Sequence, residues 1–308
     1  MDETATTAAG PVVLTGGTGL VGGALLPALR KSGVPVRALV RGQGRLHDVE
    51  EISWDGTHPP QAALAGARAV VHLSGEPIFG GLPTAARLAR LRSSRVESTR
   101  AIVAGLAALS EAERPRTFVC ASAVGYYGDR GDEVLDESAA PGDGLLADLC
   151  VDWEAAAAEA ERHGVRVCSV RIGIVLSGEG GALAMMAKPF RLGVGGRIGD
   201  GRQWFPWIHL DDLVAMILRA LEDERWRGPV NAVAPDPVRN AELTRALGSV
   251  LSRPTLLPLP AFAVRAALGP LAGELLGSKR VAPSRAEALG FEFRHRDLET
   301  TLRAELGG

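Results

Sequence analysis

The sequence predicts an α/β fold built on a doubly wound parallel sheet, with a smaller unit at the C-terminal end, and three observations carry that prediction. Short apolar runs alternate with helical segments over most of the 308 residues, the pattern of a sheet covered on both faces. The first run, Pro11 to Thr15, breaks into Gly16-Gly17-Thr18-Gly19 and passes straight into a helical segment, Leu20 to Lys31. A proline-rich stretch, Arg253 to Pro260, marks a late boundary.

Taken in order, the helix from Leu20 is closed by Gly33, and Pro27 inside it removes an N–H donor and predicts a kink. Val34 to Val40 is a second strand ending at Arg41, Ser53 and Trp54 belong to a short third, and Ala69 to Leu73 is a fourth ending in Ser74-Gly75. Pro83 to Leu109 reads as one long, arginine-rich helix, followed by the strand Thr117 to Ala121 and a loop through Ser122, Tyr126 and Tyr127. A helix from Leu145 to Arg162 contains an alanine run of high helix propensity, and Val165 to Leu176 supplies another strand. The glycine-rich stretch 178–203 reads as a pocket loop. Asp211 and Asp212 are placed to cap a helix over Leu213 to Leu221, Asn231 ends a short strand, and Asn240 caps a helix to Leu251. The expected division is a nucleotide-binding domain over 10–235 and a C-terminal, substrate-side domain over 236–308.

With 34 Lys and Arg against 36 Asp and Glu, the net charge of −2 gives no field that would draw the chain to nucleic acid or a membrane surface. Small molecules are the expected partners. Cys120, Cys150 and Cys168 are spaced neither as a disulfide framework nor as a zinc site, so no metal is expected and a reducing compartment suits the chain. The opening residues lack the basic start and apolar run of a signal peptide, which predicts a loose N-terminal lead on a cytoplasmic protein.

Gly16, Gly19 and Gly22 form a G-x-x-G-x-x-G turn between strand and helix. Such a turn lets backbone N–H groups and the helix dipole face a pyrophosphate at close range, with Thr18 on the same turn. That placement makes the unit a Rossmann-type dinucleotide site. A preference for NAD would put an acid at the end of the second strand, to receive the ribose hydroxyls. Arg41 stands there instead, and a cation pairs with the 2′-phosphate of NADP. Arg37 and Arg45 are weaker candidates for the same role.

Several stretches then resemble one family: GGTGLVG at 16–22, VVHLSGEPI at 70–78, SSRVEST at 93–99, SAVGYYG at 122–128, GRQWFPWIHLDD at 201–212, APDPVRNAEL at 234–243 and GSKRVAPSRAEALGFEF at 277–293. Together they resemble the atypical extended short-chain dehydrogenase/reductases of the epimerase-like family. The resemblance spans nearly the whole chain. It implies an NADP-type cofactor held by Gly16, Gly19, Gly22 and Arg41, with Leu73 and Ser74 on the adenosine-side wall and Arg95 also contacting the cofactor. The 83–109 helix lies where extended relatives pair, which leaves a homodimer open.

The same resemblance raises a chemical difficulty. Active short-chain dehydrogenases use a Tyr-x-x-x-Lys pair, and here lysine occurs only at positions 31, 188 and 279, so that no such pair exists. The positions that align with it are Leu146 and Cys150. Ser122 stands where the family's catalytic hydroxyl would be, and Tyr126 follows it as a candidate acid. Glu76 and Cys150 are held in reserve, and His209 with Asp211 reads as a helix cap before a base and its orienter. Gln203, Trp204 and Trp207 read equally as pocket lining and as packing. The expected activity is an NADP-dependent oxidoreductase or epimerase-like enzyme acting on a small carbonyl or hydroxyl compound. The alternative is an NADP(H)-binding regulator or redox sensor with weak catalysis.

Overall fold

A computed structural model describes residues 10–307 except 43, 45 and 48; the N-terminal lead and Arg45 lie outside the described residues. Seven strands form the main sheet: β1 (Val12–Thr15), β2 (Val36–Val40), β3 (Glu50–Ser53), β4 (Ala69–His72), β5 (Thr117–Ala123), β6 (Arg166–Ile172) and β7 (Gly228–Ala232). They lie in the order β7-β6-β5-β4-β1-β2-β3, with every neighbouring pair parallel. Winding runs outward from β1 through β2 to β3, then starts again at β4 on the other side. The carboxyl ends of β1 and β4 therefore face a crevice at the point where winding reverses, the standard ligand position in such sheets.

Both faces of the central strands are dry, which is why β1, β4 and β5 read as mainly apolar runs without alternation, whereas the edge strand β3 is partly exposed. Val13, Val70, Phe118 and Val167 point into one core, and Val12, Leu14, Val71, Val119 and Val170 into the other. The helices that cover them are α1 (Leu20–Lys31), α2 (Ala85–Arg92), α3 (Ser98–Ala107), α4 (Leu145–Ala158) and α5 (Leu210–Glu222). Helix α1 runs unbroken through Pro27, which sits on its exposed side. There the Gly23 carbonyl that proline leaves without a donor faces solvent. Between α2 and α3, the expected single helix is interrupted by a wide π turn over Ser93–Glu97. Such turns recur at functional sites.

Four other expectations need correction. The 178–203 stretch is not loop throughout: Gly181–Arg191 is an eleven-residue helix, with glycines gathered around its ends. Its Leu183 and Phe190 belong to a further core with Leu176, Trp207, Leu247 and Leu302. At α5 it is His209, the residue read with Asp211 as a cap, and not Asp211 itself that caps the helix: the His209 Nδ1 accepts from the Asp211 N–H at 3.1 Å. Asp212 is buried and accepts from the backbone of Arg294 and His295 (3.0 and 2.9 Å), which fastens the C-terminal tail instead of capping the helix. Asn240 begins the helix Asn240–Val250 after Arg239 at the cap position, and its Oδ1 accepts from Ile198 N at 2.8 Å. In the tail, Arg280–Val281 pairs in parallel with Val134–Leu135. Among the described residues no helix is long and apolar enough to cross a membrane.

Candidate functional site

The crevice at the carboxyl ends of β1 and β4 is built first from the glycine turn. Gly16 has φ +75°, and a Cβ there would stand 2.8 Å from the carbonyl carbon of Leu73. The turn is closed by Gly19 N–H donating to Gly16 O at 2.9 Å. A side chain at Gly22 would overlap the Gly16 carbonyl oxygen, so α1 starts as close to the turn as backbone allows. The resulting cleft is lined by Gly16, Thr18, Gly19, Arg41, Leu73 and Ser74, among others, while Gly22 packs behind it. Arg41 is on its exposed rim. Arg37 is committed elsewhere: it pairs with Glu50 at 3.1 Å and donates to the Ala65 carbonyl at 2.9 Å.

Beneath the floor runs a buried polar chain that the sequence did not announce. Thr15 Oγ1 and His72 Nδ1 lie 2.7 Å apart, and His72 Nε2 lies 3.1 Å from Ser98 Oγ. The same Thr15 hydroxyl accepts from the backbone N–H groups of Leu73 and Ser74, each at 3.2 Å, and so sets the wall of the cleft. Burial lowers the His72 pKa from 6.5 to about 4, so the ring is neutral. The unfolded chain therefore binds a proton that the folded one refuses, and the stability this confers is complete above pH 6.5 and lost as pH falls toward 4. Its full size is roughly 3 kcal/mol. Urea unfolding between pH 7 and pH 4 is expected to show this slope flattened in His72→Asn; equal slopes in both proteins would remove His72 from the account.

A second cavity shares Leu73, Ser74 and Gly75 with the first and continues over the sheet past Ser122, Leu146, Cys150 and Ile172. Arg95, carried on the π turn, lines this cavity and not the first. It is 9% exposed, its guanidinium lies 5.4 Å from the Trp153 ring centroid, and among the described residues no carboxylate is within ion-pair distance. Burial pushes its pKa below the ordinary arginine value. Cys150 is a buried thiol pushed up to about 12, chiefly by burial, and is no proton carrier. Glu76 lines the cavity with its carboxylate 3.9 Å from Arg90.

Ser122 donates its hydroxyl proton to Glu154 at 2.6 Å, and Glu154 holds Arg171 through two bonds of 2.8 Å. Burial weighs against the charge of Arg171, yet its bonds to Glu154 and Tyr127 outweigh that and raise its pKa. Arg171 also donates to the Tyr127 hydroxyl at 2.9 Å, which donates to Asn231 at 2.7 Å. Burial pushes the Tyr127 pKa up to about 12. Tyr126 does not join Ser122 in lining the cavity. Its ring face is covered by the Arg171 guanidinium, 3.5 Å from the ring centroid, and it packs T-shaped against Tyr127. Arg130 is no partner for it, being paired with Glu133 at 2.7 Å. Gln203, Trp204 and Trp207 line neither cavity: Trp207 is core, Trp204 lies under Arg239, and Gln203 donates to the Ile198 and Leu275 carbonyls. Sequence reasoning missed Glu154 and Arg171. The one signal for the latter was an arginine within the largely buried run 167–172.

A glycine turn at a switch point is thus continued by a cavity with a serine near the end of β5. Residues 12–232 match the model of the NAD dependent epimerase/dehydratase family. The chain belongs to that family. Residues 259–305 match a domain of unknown function, DUF1731. The chloroplastic epimerase family protein SDR39U1 homolog of Arabidopsis thaliana is 40% identical over 306 residues, covering 95% of this chain and 86% of its own length. Epimerase family protein Mb2239 of Mycobacterium bovis is 42% identical over 295 residues, covering 94% of this chain and 96% of its own. Among solved structures, human SDR39U1 with NADPH superposes with a TM-score of 0.86 at 33% identity, covering 96% of this chain and 98% of that one.

Proposed function

We propose that this epimerase-family chain binds NADP(H) in the first cleft and oxidises or reduces a small hydroxyl or carbonyl compound in the second cavity. The observation that carries the reading is the continuity of the two spaces through Leu73, Ser74 and Gly75. One extended ligand can lie across the switch point, phosphates on the glycine turn and reactive ring beside Ser122. The cradle fits the group, since at Gly16 and Gly22 a Cβ would meet backbone. The human relative's structure with NADPH supports the same choice of dinucleotide.

When bound, the dinucleotide supplies or takes up a hydride; the chain's own residues do the rest. Gly16, Thr18 and Gly19 offer backbone to the pyrophosphate, Arg41 pairs with the 2′-phosphate, and Leu73 and Ser74 wall the adenosine side. Arg95 brings positive charge toward the cofactor from the second cavity, where Leu146, Leu149 and Ile172 exclude water. The Ser122 hydroxyl donates its hydrogen bond to Glu154, so its oxygen is left with a lone pair that orients a substrate hydroxyl.

Calorimetric titration with NADP, NADPH, NAD and NADH tests the reading. Arg41→Ala is expected to weaken NADP(H) about tenfold, the scale of one solvent-facing charge-assisted bond, and to leave NAD(H) unchanged. Equal loss for both pairs would remove Arg41 from the 2′-phosphate site. A second reading, an NADP(H)-responsive regulator, is favoured by one observation: the helix positions that face the cavity, Leu146 and Cys150, carry neither acid nor base.

A further inference from the structure

Helix α4 brings no proton-handling side chain to the second cavity, and the C-terminal segment does. Glu274 lies in the short helix Gly273–Leu276 and lines the second cavity together with Arg95 and Cys150. Its two carboxylate oxygens stand 3.4 and 3.5 Å from where a Gly125 Cβ would be, three residues beyond Ser122. A Cβ at Gly125 would rest in van der Waals contact with that carboxylate. Glu274 also lines an adjoining cavity that contains Lys279. Lys279 Nζ is 3.3 Å from Glu274 Oε1, the side chains being 5% and 18% exposed respectively. Lys279 does not itself line the second cavity. The ammonium thus backs the carboxylate from the far side, and among the described residues Oε2 has no hydrogen-bond partner.

We propose that Glu274, positioned by Lys279, is the residue that exchanges a proton with the substrate oxygen here, in place of the missing tyrosine and lysine of the Rossmann half. The assignment rests on the dinucleotide reading above. In the oxidative direction the substrate O–H bond breaks and its proton passes to the Glu274 carboxylate. The C–H bond breaks with its electron pair going to NADP, which is reduced, and the C=O bond forms. Reduction runs the same steps backward from the protonated carboxyl. Ser122 holds the hydroxyl in place but, as a neutral alcohol, cannot keep its proton. Lys279 is buried and Glu274 half-buried, so the two act as a unit: without the carboxylate the buried ammonium would be left uncompensated.

The test needs no known substrate. The oxidised nicotinamide ring carries a positive charge that the reduced ring lacks, so a carboxylate facing it favours NADP over NADPH. Titration calorimetry on the full chain is expected to show NADP weakened about tenfold relative to NADPH in Glu274→Gln, the scale of one nearby charge. The double variant Glu274→Gln with Lys279→Met leaves no unpaired buried charge, which guards against loss of fold, and shifts the ratio in the same direction. Lys279→Arg keeps the wild-type ratio, whereas an ammonium that only filled space would leave Lys279→Met equally unchanged. A ratio unmoved in both Glu274 variants overturns the assignment alone. A wild type that binds neither dinucleotide overturns the cofactor reading and this assignment together. For any secondary alcohol the wild type oxidises, undiminished kcat in Glu274→Gln also overturns it.

Discussion

Gly22→Ala is expected to abolish dinucleotide binding while leaving a folded protein. The added methyl has no flexible neighbour to displace, because the atoms it meets are the carbonyl of Gly16 and the Cα of Gly17. Helix α1 must move away from the turn, or the turn must open. Either way the backbone N–H groups lose their aim at a pyrophosphate. The strain belongs with overpacking, about 1–3 kcal/mol, which a chain with two sheet-covering cores survives. Loss of binding by more than about a hundredfold, equivalent to roughly 2.7 kcal/mol, is the expected calorimetric result. Circular dichroism is expected to remain that of the wild type. Wild-type affinity in a folded Gly22→Ala protein would mean that the turn is scaffold and that the ligand lies elsewhere.

The second large effect falls on stability. Glu154→Leu keeps a good helix former in α4 and removes the only carboxylate that holds Arg171 at hydrogen-bond distance among the described residues. Arg171 is 2% exposed, so its charge is left in a dry place with the Tyr127 hydroxyl, the Glu137 carbonyl and the tyrosine faces for company. Breaking one side of a buried pair costs about 3–5 kcal/mol, and urea unfolding is expected to show a loss of that size. Adding Arg171→Met is expected to return most of it, since replacing both charges with apolar volume is close to neutral. A single variant within about 1 kcal/mol of the wild type would show that water reaches the pair.

These two variants probe parts of the molecule that differ in how far the sequence disclosed them. The glycine turn is a local device: strand, turn and helix are contiguous, each glycine answers to a neighbour a few residues away, and spacing alone exposes the unit. The strands were legible for a related reason, since burial on both faces leaves an uninterrupted apolar run. The second cavity has no such local signature. Ser122 and Glu274, which line it, and Glu154 and Arg171, which stand behind Ser122, come from β5, the C-terminal segment, α4 and β6, and only the tertiary fold brings them together. His72 was equally hidden, because one histidine in a buried strand reads as nothing until Thr15 and Ser98 stand on either side. Composition also misled at 178–203, where glycines flanking a helix made the whole stretch look like loop.

The wide turn at Ser93–Glu97 makes length, rather than residue identity, the encoded quantity on that side of the fold. A π turn holds one residue more than the α-helix around it, so α2 and α3 are out of phase by about 100°. That offset lets Ser94 accept from Glu76 N and Arg95 enter the second cavity, while Ser98 turns to His72 and Ile102 and Leu106 stay in the core. Removing any one residue between 93 and 97 would give a more regular helix of almost unchanged composition. It would also put the two halves back in step, so that the helix could serve the cavity or the core but no longer both.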